Sequence, residues 1–242
     1  MAREVFDKEV VTYYLRDMDQ RLVDEWSSMF ADYEETVKAS KGDIFEGAPA
    51  VDAIVSPANS FGFMDGGIDY VYTKHFGGQM QDSLQKLLRE KFQGELPVGQ
   101  AVIIPAYREG AMRDPSVDWC RYNHGEPIRY LISAPTMRVP SNVAQTVNAY
   151  LAFRAVILEV EKHNQENDKD LITRVLVPGL GTMVGKMPKK RCAYQMLEAY
   201  RTFAKGEDRF RIKPKSLGDM WKDHQKMCEF GGTSTDETDS DN

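Results

Sequence analysis

Residues 52–69 join a short apolar strand to a helix through a polar, glycine-containing loop, and this unit limits the folds open to the chain. Asp52 to Val55 predict the end of a buried strand. The pair Gly66-Gly67 then precedes a segment with helical spacing. Such a loop leaves backbone N–H groups free, and the N-terminus of the helix adds partial positive charge. The unit therefore predicts an α/β sheet with an anion-binding loop at a strand end.

A second loop of the same kind lies far downstream. Arg174 to Pro178 predict a strand, and Gly179 to Gly185 follow it with three glycines. Their spacing differs by one residue from the dinucleotide-binding fingerprint, which also normally lies in the first strand–helix turn, so a Rossmann fold is disfavoured. Two such loops at one sheet edge would suit a ligand with two phosphates.

Predicted strands and helices alternate along most of the chain. The strand candidates are apolar runs, and the helix candidates place apolar residues three and four apart. The strands are predicted at 10–15, 35–39, 51–55, 99–105, 129–134 and 174–178, and the helices at 17–33, 70–92 with an interruption at Gly77-Gly78, 143–163, 189–204 and 216–228. This order favours a three-layer α/β/α fold with a mixed, largely parallel central sheet.

The composition argues against several classes of protein. A hydrophobic fraction of 42% is ordinary for a chain that buries a core, and no apolar run approaches the about 20 residues of a membrane span. The net charge of −6 argues against general nucleic-acid binding. Three cysteines without a CxxC pair favour a reducing, cytoplasmic setting. Cys120 and His124 alone do not make a metal site, and we expect neither metal nor cofactor.

Residues 107–127 form a long stretch rich in charge, glycine and proline between two predicted strands. Loops longer than about 12–15 residues often act as lids or binding loops. The alternative is a solvated insertion, and the sequence does not choose between the two.

Five pieces of the chain, in order, resemble the macro domain, a module that binds ADP-ribose. Gly42-Asp43-Ile44 resembles its opening turn, 52–59 resembles the strand that ends in an asparagine, and 66–69 resembles the first phosphate loop. Residues 96–101 and 133–135 are similar to the next pair of strands. Residues 178–182 are similar to the diphosphate loop. The resemblance implies a macro-like fold over residues 37–204.

This resemblance also predicts how the chain divides. Residues 1–36 would be a strand–helix addition that packs on the core, and 205–230 a C-terminal helical extension. Residues 231–242 are polar and acidic and lack apolar anchors, so a disordered tail is expected there.

The resemblance implies a ligand, ADP-ribose or an ADP-ribosylated macromolecule, and a site for it. Asp43 would accept the adenine amino group, Asn59 would bind the distal ribose, and Asp69 would activate water near the anomeric carbon. Asn59 and Asp69 are thus the catalytic candidates. The other ligand-binding candidates are Ile44, Phe61, Phe63, Gly66, Gly67, Ile68, Pro135, Gly179, Gly181, Thr182, Met183, Val184 and Gly185.

Most of these residues also have a purely structural alternative. Asp43 would cap a turn, Asn59 would form an Asx-turn, and Asp69 would be a first-turn acid favoured by the helix dipole. The two phenylalanines would pack the loop against the core, and the glycines would serve turn geometry alone. Met183 stands where many family members have glycine, so the distal ribose end departs most from the resemblance.

Three functions are open on the sequence. The first is hydrolysis of an ADP-ribosyl bond without metal, with Asp69 as the base. The second is a non-catalytic reader or sequestering protein for ADP-ribose or a related nucleotide. The third is an ADP-ribose-1″-phosphate phosphatase that uses His75 as an acid.

Overall fold

A six-stranded sheet organises the computed structural model, which describes residues 10–57, 59–108 and 122–232. The strands are β1 (Thr12–Asp17), β2 (Val37–Lys41), β3 (Ala53–Ser56), β4 (Val102–Pro105), β5 (Tyr130–Ser133) and β6 (Arg174–Val177). Their order is β2-β1-β6-β3-β5-β4, and every pair is parallel except β4 with β5. The predicted mixed, largely parallel sheet is confirmed.

The central strands are mostly apolar because both faces of the sheet are covered. In β3, Ala53 and Val55 belong to one buried cluster, whereas Ile54 between them belongs to the other. Strand β6 alternates in the same way, since Leu176 faces the cluster of Ile54. Successive side chains of a strand point to opposite faces, so these runs separate two helical layers.

The described residues include six α-helices, and the first five build those two layers. They are α1 (Gln20–Met29), α2 (Gly67–Phe76), α3 (Gln79–Phe92), α4 (Asn148–Glu166), α5 (Lys189–Ala199) and α6 (Leu217–Glu229). Helices α1, α4 and α5 supply one cluster, with Trp26 and Phe153 fully buried, and α2 and α3 supply the other, with Tyr72 and Leu84 fully buried. This is the predicted α/β/α arrangement.

The predicted interruption at Gly77-Gly78 is a true break. Gly77 has a φ of 83°, which ends α2, and α3 begins two residues later. The helix predicted to end at 204 instead changes after Ala199 into a π-helical turn, Tyr200–Ala204. None of the helices in the described ranges is long and apolar enough to cross a membrane.

The two ends of the described chain are attached to this core. Strand β1 lies inside the sheet, between β2 and β6. Near the other end, the guanidinium of Arg211 is buried and forms ion pairs with Glu198 of α5 and Asp223 of α6. The division of the chain at residues 37 and 205 stays a prediction.

Some predictions fall outside the described residues. They concern Ala58 in the first loop, most of the 107–127 stretch including Cys120, and nearly all of the predicted tail at 231–242.

Candidate functional site

The loops that follow β3, β5 and β6 meet at the carboxyl edge of the sheet and are bonded to one another. Thr136 after β5 donates its hydroxyl to the carbonyl oxygen of Pro57 after β3, at 2.9 Å. Asn59 and Met137 form a parallel bridge. The amide of Val143 donates to the carbonyl oxygen of Gly185 after β6, at 2.8 Å. The tertiary structure therefore brings the two glycine loops and the Pro135 turn to one edge.

The first glycine loop leaves backbone open at a helix N-terminus. Gly66 is the N-cap of α2, and no side chain satisfies the amides of the first turn through that cap. A Cβ at Gly66 or Gly67 would meet no atom within 4 Å. Ile68 is only partly buried beside them. Exposed amides at the positive end of a ten-residue helix can bind an anion.

Asn59 is engaged by its own loop. Its side-chain oxygen accepts hydrogen bonds from the amides of Phe61, at 3.1 Å, and Phe63, at 3.3 Å. Its Nδ2 donates to the carbonyl oxygen of Phe63, at 2.8 Å. These bonds are those of the Asx-turn alternative, and they present the two phenyl rings at the rim of the site.

Asp69 lies in the first turn of α2 and points inward. Only 7% of the residue is exposed, and the hydroxyl of Ser56, the last residue of β3, donates to its Oδ1 at 2.5 Å. Burial, helped by the nearby charge of Asp65 and opposed by the Ser56 hydrogen bond, raises the pKa of Asp69 to about 7. The carboxyl group therefore changes its charge near neutral pH.

Asp43 caps the turn that follows β2. Its Oδ1 accepts from the amides of Phe45, at 2.8 Å, and Glu46, at 2.9 Å. Its Oδ2 makes no recorded hydrogen bond with the described part of the chain. The next residue, Ile44, is buried in the α2–α3 cluster. The capping bonds leave one carboxylate oxygen free at this end of the site.

Arg16 also binds this turn, a contact that the sequence did not predict. The residue is buried, and its guanidinium donates to the carbonyl oxygens of Asp43, at 2.6 Å, and Glu46, at 2.9 Å. Gly42 makes room for it, because a Cβ there would lie 2.2 Å from Nη2 of Arg16. The predicted strand at 10–15 stops one residue short of Arg16, whereas the observed β1 includes it.

His75 packs beside this turn. Its ring stacks on Phe45 with centroids 3.8 Å apart and an interplanar angle of 11°. Burial lowers the pKa of His75 to about 4, against an opposing effect of Asp43. The imidazole is therefore neutral at neutral pH.

The second glycine loop is tightly packed at its base. A Cβ at Gly179 would lie 2.4 Å from the Thr182 hydroxyl and 2.8 Å from Asp17 Oδ2, and one at Gly185 would lie 2.5 Å from the Gly181 carbonyl oxygen. Gly181 has a φ of 73°. At the tip, Met183 and Val184 are 80% and 55% exposed. Glycine is therefore required here by close packing and backbone angle.

Two cavities differ in their position on the sheet. One, of about 350 Å³, lies at the loop edge and is lined by Asn59, Phe61, Phe63, Asp65, Val139 and Pro140. The other lies at the opposite, amino edge around Asp52. There the Asp52 carboxylate is bound by Arg174 and by the amide and hydroxyl of Thr173. The loop-edge cavity is thus the one beside the predicted site residues.

Comparison with known families identifies the family of this chain. A family model described as a macro-like domain matches residues 24–191, more than half of the sequence. This chain belongs to the macro-like domain family. The match begins within α1, upstream of the predicted boundary at residue 37.

Two similar proteins support this assignment at different levels. A protein of Aquifex aeolicus (strain VF5), called uncharacterized, is 33% identical over 167 residues, which cover 69% of this chain and 82% of that one. A mutant macrodomain of Oceanobacillus iheyensis, solved with ADPR (ADP-ribose), has a TM-score of 0.50 and 19% identity, covering 69% of this chain and 77% of that chain. At this identity the similarity concerns the fold, which agrees with the predicted macro-like fold.

Within the ranges that the structure describes, no group of three or more His, Cys, Asp and Glu side chains could hold a metal ion in this macro-like domain.

Proposed function

We propose that this macro-like domain binds ADP-ribose. The observation that carries the proposal is the open glycine pair at the N-terminus of α2. It lies at the sheet edge where the loops that follow β5 and β6 also lie. Because the chain belongs to the macro-like family, ADP-ribose is the anionic ligand that we expect at this edge. The O. iheyensis macrodomain, which shares the fold, was solved with ADP-ribose.

In this proposal the ligand lies across the sheet edge with a fixed direction. The free Oδ2 of Asp43 would accept the adenine amino group, because a carboxylate is an acceptor only. The amides at Gly66 and Gly67 would hold one phosphate, and the loop at 179–185 would hold the other. Asn59 would give up a hydrogen bond to its own loop and form one with the distal ribose.

We propose hydrolysis of an ADP-ribosyl bond as a second function. The observation that favours it is the pKa of Asp69, which burial raises to about 7. A general base works best when its pKa lies near the working pH. Because Asp69 is only 7% exposed, ligand binding would have to open a path from its carboxylate to water. Without that path the domain would act as a non-catalytic reader.

The phosphatase alternative is disfavoured by His75. A general acid must carry a proton at the working pH, and the pKa of His75 is lowered to about 4. Its ring is also occupied by stacking on Phe45.

Binding is tested by thermal shift with ADP-ribose, NAD, AMP and cyclic nucleotides. A ligand that binds only the folded state raises the melting temperature, so ADP-ribose is expected to give the largest increase. An unchanged melting temperature at millimolar ADP-ribose would contradict the proposal.

Hydrolysis is tested with mono-ADP-ribosylated protein and nucleic acid, using the wild type, Asp69→Ala and Asp69→Asn. Loss of the base is expected to slow turnover by about 100-fold or more. Asp82→Ala is the control, since Asp82 is exposed and its ion pair among the described residues is with Arg108. Full turnover by Asp69→Ala would remove the assigned base, and binding without turnover by the wild type would identify a reader.

A further inference from the structure

The loop-edge cavity lies beside the proposed distal-ribose end of the site. Asn59, Phe61, Phe63 and Asp65 of the loop after β3 line it together with Val139 and Pro140. Val139 and Pro140 belong to the segment that follows β5, so the cavity lies between the loops of two neighbouring strands. A group attached to the distal ribose would enter this space.

Asp65 contributes an uncompensated negative charge to the cavity. The residue is exposed, and no hydrogen bond or ion pair to another described residue is recorded for it. Its charge instead acts on another acid, Asp69, whose pKa it helps to raise. The cavity therefore carries a carboxylate that forms no ion pair with another described residue.

One of the two phenyl rings that line the cavity contacts a guanidinium group of the same chain. The Arg138 guanidinium lies 5.0 Å from the centroid of the Phe61 ring. Glu95 binds that guanidinium through two hydrogen bonds, of 2.7 and 3.0 Å, so the charge of Arg138 is compensated. Phe63 is 52% exposed, and its ring makes no ring or cation contact with another described residue. One aromatic face is thus occupied by a cation, and a second face is open.

An open phenyl ring next to an unpaired carboxylate attracts a cation through the ring quadrupole and through direct charge. We propose that this cavity binds an arginine or lysine side chain of the protein segment that carries the ADP-ribosyl group. The inference rests on the proposed function, because it places the carrier beside the ADP-ribose site. The net charge of −6 favours the approach of a basic segment.

A nucleobase is the competing occupant, since it would also stack on Phe63. A nucleic-acid carrier brings phosphates, however, and these would meet Asp65 and a chain of net negative charge. The electrostatics therefore favour a basic protein segment.

The test compares two short peptides that carry ADP-ribose through a non-hydrolysable linkage. One has arginine on both sides of the modified residue, and the other has citrulline, which keeps the shape and removes the charge. Calorimetry is expected to give binding of the arginine peptide roughly three- to tenfold tighter at low salt, in line with an exposed cation–π contact plus one ion pair. Salt should reduce the difference.

Asp65→Asn is expected to remove most of this preference while free ADP-ribose still binds. Asp82→Asn removes the same charge at an exposed residue outside the cavity and should keep the preference. If free ADP-ribose does not bind the wild type, the proposed function fails. If it binds and the two peptides bind equally, or a matched ADP-ribosylated oligonucleotide binds more tightly than the arginine peptide, the cationic pocket is wrong.

Discussion

The two glycine loops look alike in sequence but have opposite surroundings. A Cβ at Gly66 or Gly67 would enter open space, whereas one at Gly179 or Gly185 would clash with atoms less than 3 Å away. The glycines of the first loop therefore leave its backbone accessible to a ligand. The second loop needs its glycines to let the chain pack against β1, α1 and the loop after β5.

This difference separates what a glycine does for folding from what it does for a ligand. In the second loop the nearest atom to a Gly185 Cβ is a backbone oxygen, that of Gly181, which no side-chain rotation can move. In the first loop no atom lies within 4 Å of a Cβ added at Gly66, and at Gly67 only the φ of 57° disfavours a side chain. Substitutions in the two loops should thus change different measurements.

The largest effect on stability is expected from Gly185→Ala. The added methyl would lie 2.5 Å from the Gly181 carbonyl oxygen and 2.6 Å from Val143 Cγ2. Overpacking of this kind costs typically 1–3 kcal/mol, so the free energy of unfolding in urea should fall by about that amount. Gly66→Ala is the matched control and should change it by less than about 1 kcal/mol. Equal losses in the two variants would break the comparison.

The second effect concerns Asp69, the packed residue of the otherwise open first loop. Its pKa is raised from 3.8 to about 7 by burial, so between these values the folded chain binds a proton more tightly than the unfolded chain. Stability from this group is therefore full below about pH 4 and is lost as the pH rises through 7.

Asp69→Asn keeps an acceptor for the Ser56 hydroxyl and removes the titration. Relative to the wild type, its free energy of unfolding should rise between pH 5 and pH 8, by roughly 3 kcal/mol. Urea unfolding at both pH values measures the difference. Parallel stability curves for the two proteins would mean that Asp69 does not titrate in this range.

The smallest expected effect is on ligand affinity and comes from Gly66→Ala. A methyl group at this position would stand where the proposal places a phosphate, and ADP-ribose should bind about tenfold more weakly, a loss of about 1.4 kcal/mol. Gly78→Ala is the control, because Gly78 is also an N-cap, that of α3, and is equally open. If calorimetry finds the same ADP-ribose affinity in both variants, the open space at Gly66 does not hold a phosphate.

Local pattern was enough to predict most of the architecture. The apolar runs of β3 and β6, the break at Gly77-Gly78 and the strand–loop–helix units were all visible in the sequence. The turn residues were also placed correctly, since Asp43 and Asn59 make the capping bonds that their residue types favour. What they do for a ligand stays a prediction.

The sequence by itself determined the order of strands and helices and the presence of glycine loops at strand ends, because these follow from periodicity and backbone freedom between near neighbours. Only the tertiary structure decided which glycines are open, that Arg16 supports the Asp43 turn, and that Asp69 is buried against Ser56. Each depends on contacts between residues from different parts of the chain, and the spacing of residues within one short segment does not predict such contacts.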